Sequence, residues 1–207
     1  MSDAANANEF KRWENRYAAP GYHFGTEPNA FLKAQAHLLR PGQTALSIAD
    51  GEGRNGVWLA EQGLDVLAVD FSPTALAKGQ ALAASRGVKL RSERADMTQW
   101  KWPSEAFDVI VGIFVQFASP EEQTRMFDGI ARALKPGGLL LLEGYGPKQL
   151  EYATGGPREL GRLYTRERLE AAFKGFASLD IREYDSAIGE GSAHIGMSAL
   201  VDLIGRK

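Results

Sequence analysis

Cysteine is absent from this chain of 207 residues, which excludes disulfides, thiolate metal sites and a cysteine nucleophile. Histidine is scarce. His23, His37 and His194 are the only three, no H-E-x-x-H pair occurs, and no metal is expected. Long apolar runs are missing too: "GGLLLLEGY" falls far short of the ~20 residues that span a bilayer and reads as a buried strand. The opening "MSDAANANEFKRWENRY" has no apolar core of signal-peptide type. A net charge of -2 argues against a general nucleic-acid binder, which carries a basic surface. The expectation is a cytoplasmic protein with no membrane or nucleic-acid partner. No repeat or low-complexity linker divides the chain, so 1–207 is read as one domain.

What is present is an alternation. A helix over 7–17 puts Phe10, Trp13 and Tyr17 on one face, a stripe expected to pack on its own domain. A loop over 19–28 follows, then a second helix with Thr26 as N-cap and Phe31, Leu32, Leu38 and Leu39 as apolar positions. From Thr44 strands and helices alternate: "TALSIA", a helix over 55–62, "DVLAVD", and a helix over 73–86 opened by Ser72-Pro73. "VKLRSER" and "FDVIVGIFV" come next, then a helix over 120–134 announced by Ser119-Pro120-Glu121-Glu122, then "GLLLLEGY". Nearly continuous apolar strands between helices mark a parallel sheet covered on both faces. After a short helix at 166–173, "SLDIREYDSA" and "HIGMSALVDLIG" are separated only by a glycine-rich turn, which predicts an antiparallel hairpin. The expected fold is a doubly wound, Rossmann-like α/β sheet of seven strands, mostly parallel and closed by a C-terminal antiparallel hairpin.

Ligands of such sheets collect at the carboxyl ends of the strands. That edge carries "ADGEGRNG" (49–56), Asp70 and Asp96. The loop contains a literal G-x-G-x-x-G at Gly51, Gly53 and Gly56, the pattern of a dinucleotide-binding turn. Asp70 ends its strand, where it can accept both hydroxyls of an adenosine ribose, so NAD and S-adenosylmethionine both fit. Asp50 and Glu52 separate them: beside a pyrophosphate, each like-charge pair at ~4 Å costs on the order of 1 kcal/mol even in water. A cationic adenosyl ligand suits an acidic loop better.

Several segments carry a family likeness: "YHFGTEPNAFL" (22–32), "ADGEGRNGVWLAEQGLDVLAVDFSPTAL" (49–76), "RADM" (94–97), "FDVIVGIF" (107–114), "LKPGGLLLLEGY" (134–145) and "TGGPREL" (154–160). From about residue 20 onward the chain resembles a class I S-adenosylmethionine-dependent methyltransferase. It is most similar to the small bacterial tellurite-resistance-type and thiopurine-methyltransferase-like group. The first motif departs from the pattern, with Ser47 where an acid is usual and Ala49 in place of the first glycine. The resemblance implies that residues 1–40 supply helices and a cofactor-covering loop that includes Tyr22, and 41–207 the α/β core. It implies that Ala49, Gly51 and Gly53 line the cofactor with Asp50 near its methionine end, and that Asp70 takes the ribose hydroxyls. Phe71 would lie on the adenine, Asp96 and the Met97 backbone would meet its amino group, and Gly112, Ile113 and Phe114 would face the methyl-bearing end.

Each residue has a simpler role open to it. Asp96 can cap a turn, Phe71 and Phe114 can be core aromatics, Gly112 can serve packing, Asn55 can cap a helix, and Arg54 can pair with Glu52 at the surface. Methyl transfer needs in-line approach and a water-poor pocket more than acid–base groups. His194, in the hairpin, and Tyr145, after the fifth strand, are the candidate catalytic residues on the substrate side, and Phe24 and Tyr152 are candidate pocket walls. "ATGGPREL" reads as a lid. The expected function is methyl transfer from S-adenosylmethionine to a small-molecule acceptor: a thiol, a heterocycle or a chalcogen oxyanion. An NAD-dependent oxidoreductase and a non-catalytic adenosyl-ligand binding protein stand as alternatives, and the sequence assigns no oligomeric state.

Overall fold

The computed structural model describes residues 3–191 and 194–207. Seven strands form one sheet in the order β3-β2-β1-β4-β5-β7-β6: β1 (Thr44–Ile48), β2 (Asp65–Asp70), β3 (Arg91–Arg94), β4 (Phe107–Ile113), β5 (Leu134–Tyr145), β6 (Ser178–Glu190) and β7 (His194–Arg206). The first five run parallel, β7 is antiparallel to β5, and β6 is antiparallel to β7. This is the fold the alternation predicts. Among the described residues no helix is long and apolar enough to cross a membrane.

The apolar strands serve two faces because successive side chains alternate. Val109 and Val111 of β4, with Leu139 and Leu141 of β5, pack on α3 (Arg54–Glu61) and α4 (Pro73–Ser85). Ile110, Leu140 and Leu142 face the other way, onto Phe127 and Ile130 of α5 (Pro120–Ala133) and Leu169 of α7 (Arg166–Ala172). The predicted caps form. Ser72 Oγ accepts from the Ala75 amide, and Ser119 makes a reciprocal capping box with Glu122.

Three boundaries move. The first helix, α1, is longer than expected and runs Asp3–Tyr17. The helix expected from Thr26 starts instead after Asn29, whose side chain accepts from Leu32 N, and α2 is only Ala30–Ala34. Pro28 explains this, since the residue before a proline is biased out of helical conformation. "VKLRSER" pairs only over its last four residues, at an exposed, charged sheet edge.

Candidate functional site

The chain leaves β1 through Ala49 (φ 46°) and Gly51 (φ 59°), both in the left-handed region. Gly53 (φ 90°) caps α3, and a Cβ there would stand 2.7 Å from Gly79 Cα in α4. Gly56 makes room for a side chain: a Cβ would lie 2.3 Å from Asp50 Oδ2. Asp50 is thereby folded beneath the loop, where Oδ1 accepts from Ser47 Oγ at 2.6 Å and Gly56 N at 3.0 Å. Its buried Oδ2 has no hydrogen-bond partner among the described residues. Burial pushes the Asp50 carboxyl up to about 7, against the pull of those two hydrogen bonds. Asp70 accepts from Gly51 N and Ser72 N, both at 2.9 Å, and burial raises it to about 6.

Glu52 corrects the charge argument. It turns away from the ligand side, accepting from His23 N at 2.6 Å and pairing with Lys78 at 2.8 Å. Only one of the two loop acids therefore faces the cavity. Arg54 does not pair with Glu52 either; it is buried and paired with Glu190 at 2.6 Å. Asn55 is not the cap of α3. Its Oδ1 accepts from Asn29 N at 3.0 Å, tying the N-terminal segment to the loop.

A cavity of about 780 Å³ opens at the carboxyl ends of β1, β2 and β4, within the range of small-molecule sites. Ala49, Asp50, Gly51, Asp70, Phe71 and Asp96 line it at one end. Met97, Ile113, Phe114, Tyr145 and His194 continue the wall. Asp96 also accepts from Thr98 N and Oγ1, so it orders its turn as well as facing the cavity. Tyr22, Gly53 and Gly112 are not among the lining residues. The Tyr22 hydroxyl meets Lys78 O at 3.3 Å and its ring packs on the core beneath. Gly112 serves packing, since a Cβ would sit 3.0 Å from Leu142 Cδ1.

The aromatic face of the N-terminal helix packs on its own domain, and part of it covers the cavity. Trp13 and Tyr17 line the cavity, stacked at 5.5 Å between centroids, while Phe10 meets Phe71 edge-on at 5.6 Å. Glu14 fastens α1 to the start of α4, accepting from Ser72 Oγ and from Thr74 Oγ1 at 2.7 Å. The Phe10/Trp13/Tyr17 spacing gave the face; nothing local in sequence names what that face covers.

At the far end the rings of Phe24, His194, Phe114 and Tyr145 form a continuous stack. The centroid distances are 4.7 Å for Phe24–His194, 4.4 Å for Phe114–His194 and 4.6 Å for Phe114–Tyr145. Phe114 holds its place at φ 55°, a non-glycine left-handed conformation of the kind found at ligand sites. Tyr145 Oη lies 2.5 Å from His194 Nδ1. Burial, with Arg54 and His23 nearby, lowers His194 to about 3, so the ring is neutral. Burial also raises the Tyr145 phenol, and the carboxylates of Glu143 and Glu190 add to it. The loop over 155–159 closes this end; Gly156 lies so near Tyr145 that a Cβ would meet its ring at 2.6 Å. Tyr152 and His37 are not lining residues.

The hairpin tip that carries His194 is anchored. Glu190 accepts from Asn29 Nδ2 at 3.0 Å and Ala30 N at 3.1 Å in addition to pairing with Arg54. Gly191 (φ 64°) packs against Phe24, where a Cβ would fall 2.3 Å from a backbone carbon. Asn29 Nδ2 also donates to Glu143, whose carboxyl is buried and raised, chiefly by desolvation and then by Asp202.

Comparison with known proteins agrees with this geometry. Residues 45–138 match the family described as a methyltransferase domain. The cypemycin N-terminal methyltransferase of a Streptomyces species is 32% identical over 148 residues, 69% of this chain and 59% of that protein. An uncharacterized Mycobacterium tuberculosis protein is 28% identical over 102 residues, 49% of this chain and 37% of its own length. The chain thus spans between about a third and three fifths of these curated relatives. Among solved structures, a protein from work on the conversion of a disulfide bond into a thioacetal group during echinomycin biosynthesis superposes with TM-score 0.72. It is 18% identical, and the match covers all of this chain and 91% of that one. A Haemonchus contortus phosphoethanolamine N-methyltransferase, in complex with phosphomonomethylethanolamine and S-adenosylhomocysteine, superposes with TM-score 0.71 at 18% identity, covering 97% and 58%.

The fold is therefore that of the solved methyltransferase it superposes on, and residues 45–138 carry the methyltransferase domain match. The residues present fit S-adenosylmethionine: Asp70 suits ribose hydroxyls, the Asp50 carboxyl beneath the loop adds negative charge that favours a cation, and neither suits a phosphate.

Proposed function

We propose that this chain transfers a methyl group from S-adenosylmethionine to a small-molecule acceptor, a thiol, heterocycle or chalcogen oxyanion. The observation that carries it is the pair of buried acids at one strand edge. Asp50 sets a carboxyl beneath the loop that would favour the cofactor's amine through its charge, and Asp70 is braced by two backbone amides for the ribose. Phe71 would lie on the adenine, Asp96 and the Met97 backbone would meet its amino group, and Ile113 and Phe114 would wall the methyl-bearing end. Bound there, the cofactor supplies a methyl group made electrophilic by its sulfonium.

The chain's own residues do the rest. α1 closes over the loop through Tyr17, whose hydroxyl lies 3.0 Å from where a Gly51 Cβ would stand, and excludes water. The ring stack orients a planar or polarisable acceptor. The tellurite-resistance-type resemblance supports a sulfur or oxyanion acceptor, as does the disulfide-to-thioacetal chemistry named for one structural relative, whereas two other relatives are named as an N-terminal methyltransferase and an N-methyltransferase. Incubation with S-adenosylmethionine and a panel of thiols, heterocyclic thiones and chalcogen oxyanions tests it. Release of S-adenosylhomocysteine with one class supports the proposal. Release only with amines overturns the acceptor assignment, and binding of NAD without any adenosyl ligand overturns the function.

A further inference from the structure

We propose that Tyr145 holds His194 in the Nε2–H tautomer, so that His194 meets the acceptor as a hydrogen-bond donor and the site selects nucleophiles that arrive already deprotonated, thiolates or oxyanions. This rests on the methyl-transfer reading above.

The first support is bond direction. Tyr145 is buried, and its hydroxyl has no hydrogen-bond partner among the described residues other than His194 Nδ1. A buried phenol proton needs an acceptor, and an imidazole nitrogen lone pair is the one present. Nδ1 therefore accepts, and the single proton of the neutral ring sits on Nε2. The second support is the surroundings. The ring is held between Phe24 and Phe114, with the Arg54 guanidinium 6.0 Å from the Phe24 ring, an environment that disfavours a second positive charge. The depressed His194 pKa agrees.

The third support is the want of a strong base. Five carboxylates line the cavity, and each accepts a hydrogen bond or pairs with a cation within the protein, the second Asp50 oxygen lying buried beneath the loop. Glu9 accepts from Trp13 Nε1 at 2.9 Å and pairs with Arg12, and Glu159 is 2.9 Å from Arg162. Asp50, Asp70 and Asp96 are bonded within their own loops at the glycine-loop end. Besides these carboxylates, the basic groups on the lining are the imidazoles of His23, whose pKa burial lowers, and His194, whose Nδ1 is taken by Tyr145. An ammonium or alcohol acceptor has to give its proton to one of these weak bases or to water. An anionic nucleophile has none to lose, and His194 and the Arg158 side chain at the mouth both offer it donors.

The test is the tautomer itself, read by two-bond proton–nitrogen correlation on full-length protein labelled with ¹⁵N-histidine. His194 is assigned by its loss in His194→Gln. The expected spectrum is the neutral Nε2–H pattern, unchanged between about pH 5.5 and 8, with the tautomer preference lost in Tyr145→Phe. An Nδ1–H pattern, or titration in that window, overturns the proposal. A second arm offers thiophenol and benzylamine with S-adenosylmethionine. Thiophenol should be methylated with kcat/KM following its own ionisation, and His194→Ala should cost about 10–100-fold while His194→Gln, which keeps an N–H donor, recovers part of it. A preference for benzylamine also overturns the proposal. Calorimetry of wild type with S-adenosylhomocysteine keeps the two claims apart, because absent binding sinks the methyl-transfer reading whatever tautomer is found.

Discussion

Asp50 carries a carboxylate with one oxygen bonded to Ser47 and Gly56 and the other unbonded among the described residues. Burial raises its pKa from an unfolded value near 3.8 to about 7. The folded state thus binds more protons than the unfolded chain between those values, and this group lowers stability as pH rises through that window. Asp50→Asn keeps the bonds to Ser47 and Gly56 and removes the charge. Its melting temperature should exceed that of wild type by about 5 °C at pH 8, with the difference gone by about pH 4. The same substitution should weaken S-adenosylhomocysteine binding by about tenfold or more. Wild-type affinity should likewise fall as pH drops below about 7, as the carboxyl is protonated. Thermal scans and calorimetry across pH check both. The sequence showed two acids in this loop but not which would face the ligand. That depends on Lys78 and the His23 amide, which reach Glu52 from other elements.

At the scale of elements, α1 and the β6–β7 hairpin close the site from opposite sides. Glu14 bonds the start of α4, where backbone amides lack helical partners. Glu14→Ala should cost about 1 kcal/mol and loosen α1, read as faster amide exchange over residues 8–17 with little change in the sheet. Equal exchange in both proteins would show that the apolar face alone holds α1. Gly191→Ala should disturb the tip, because φ 64° and a 2.3 Å approach to Phe24 both exclude a Cβ. Faster exchange over 186–190 and a weaker Tyr145–His194 contact are expected, with the β5–β7 pairing intact. The hairpin itself was legible from two β-rich runs across a glycine turn. Its anchoring was not, since Glu190, Asn29 and Arg54 meet only after the sheet has formed. The shift of the α2 start from Thr26 to Asn29 was legible in hindsight from Pro28.

For the whole molecule, the order β3-β2-β1-β4-β5-β7-β6 places the crossover reversal between β1 and β4, and the cavity lies there. That much followed from the alternation of apolar strands with capped helices, because parallel strands demand crossovers and crossovers put the loops on one edge. The lining residues from β1, β2 and β4 were readable for the same reason. Tyr22 and Gly112 were not separable from liners by position alone; Tyr22 packs against the core with its hydroxyl on Lys78 O, and Gly112 fits closely against Leu142 and Val115.

Calorimetric titration with S-adenosylhomocysteine, of wild type and of Asp70→Ala, with NAD in parallel, tests the central claim most directly. Micromolar binding to wild type, weakened on the order of 100-fold in Asp70→Ala with that variant still folded, and no binding of NAD is the expected result. NAD binding without S-adenosylhomocysteine binding, or adenosyl affinity indifferent to Asp70, would contradict it.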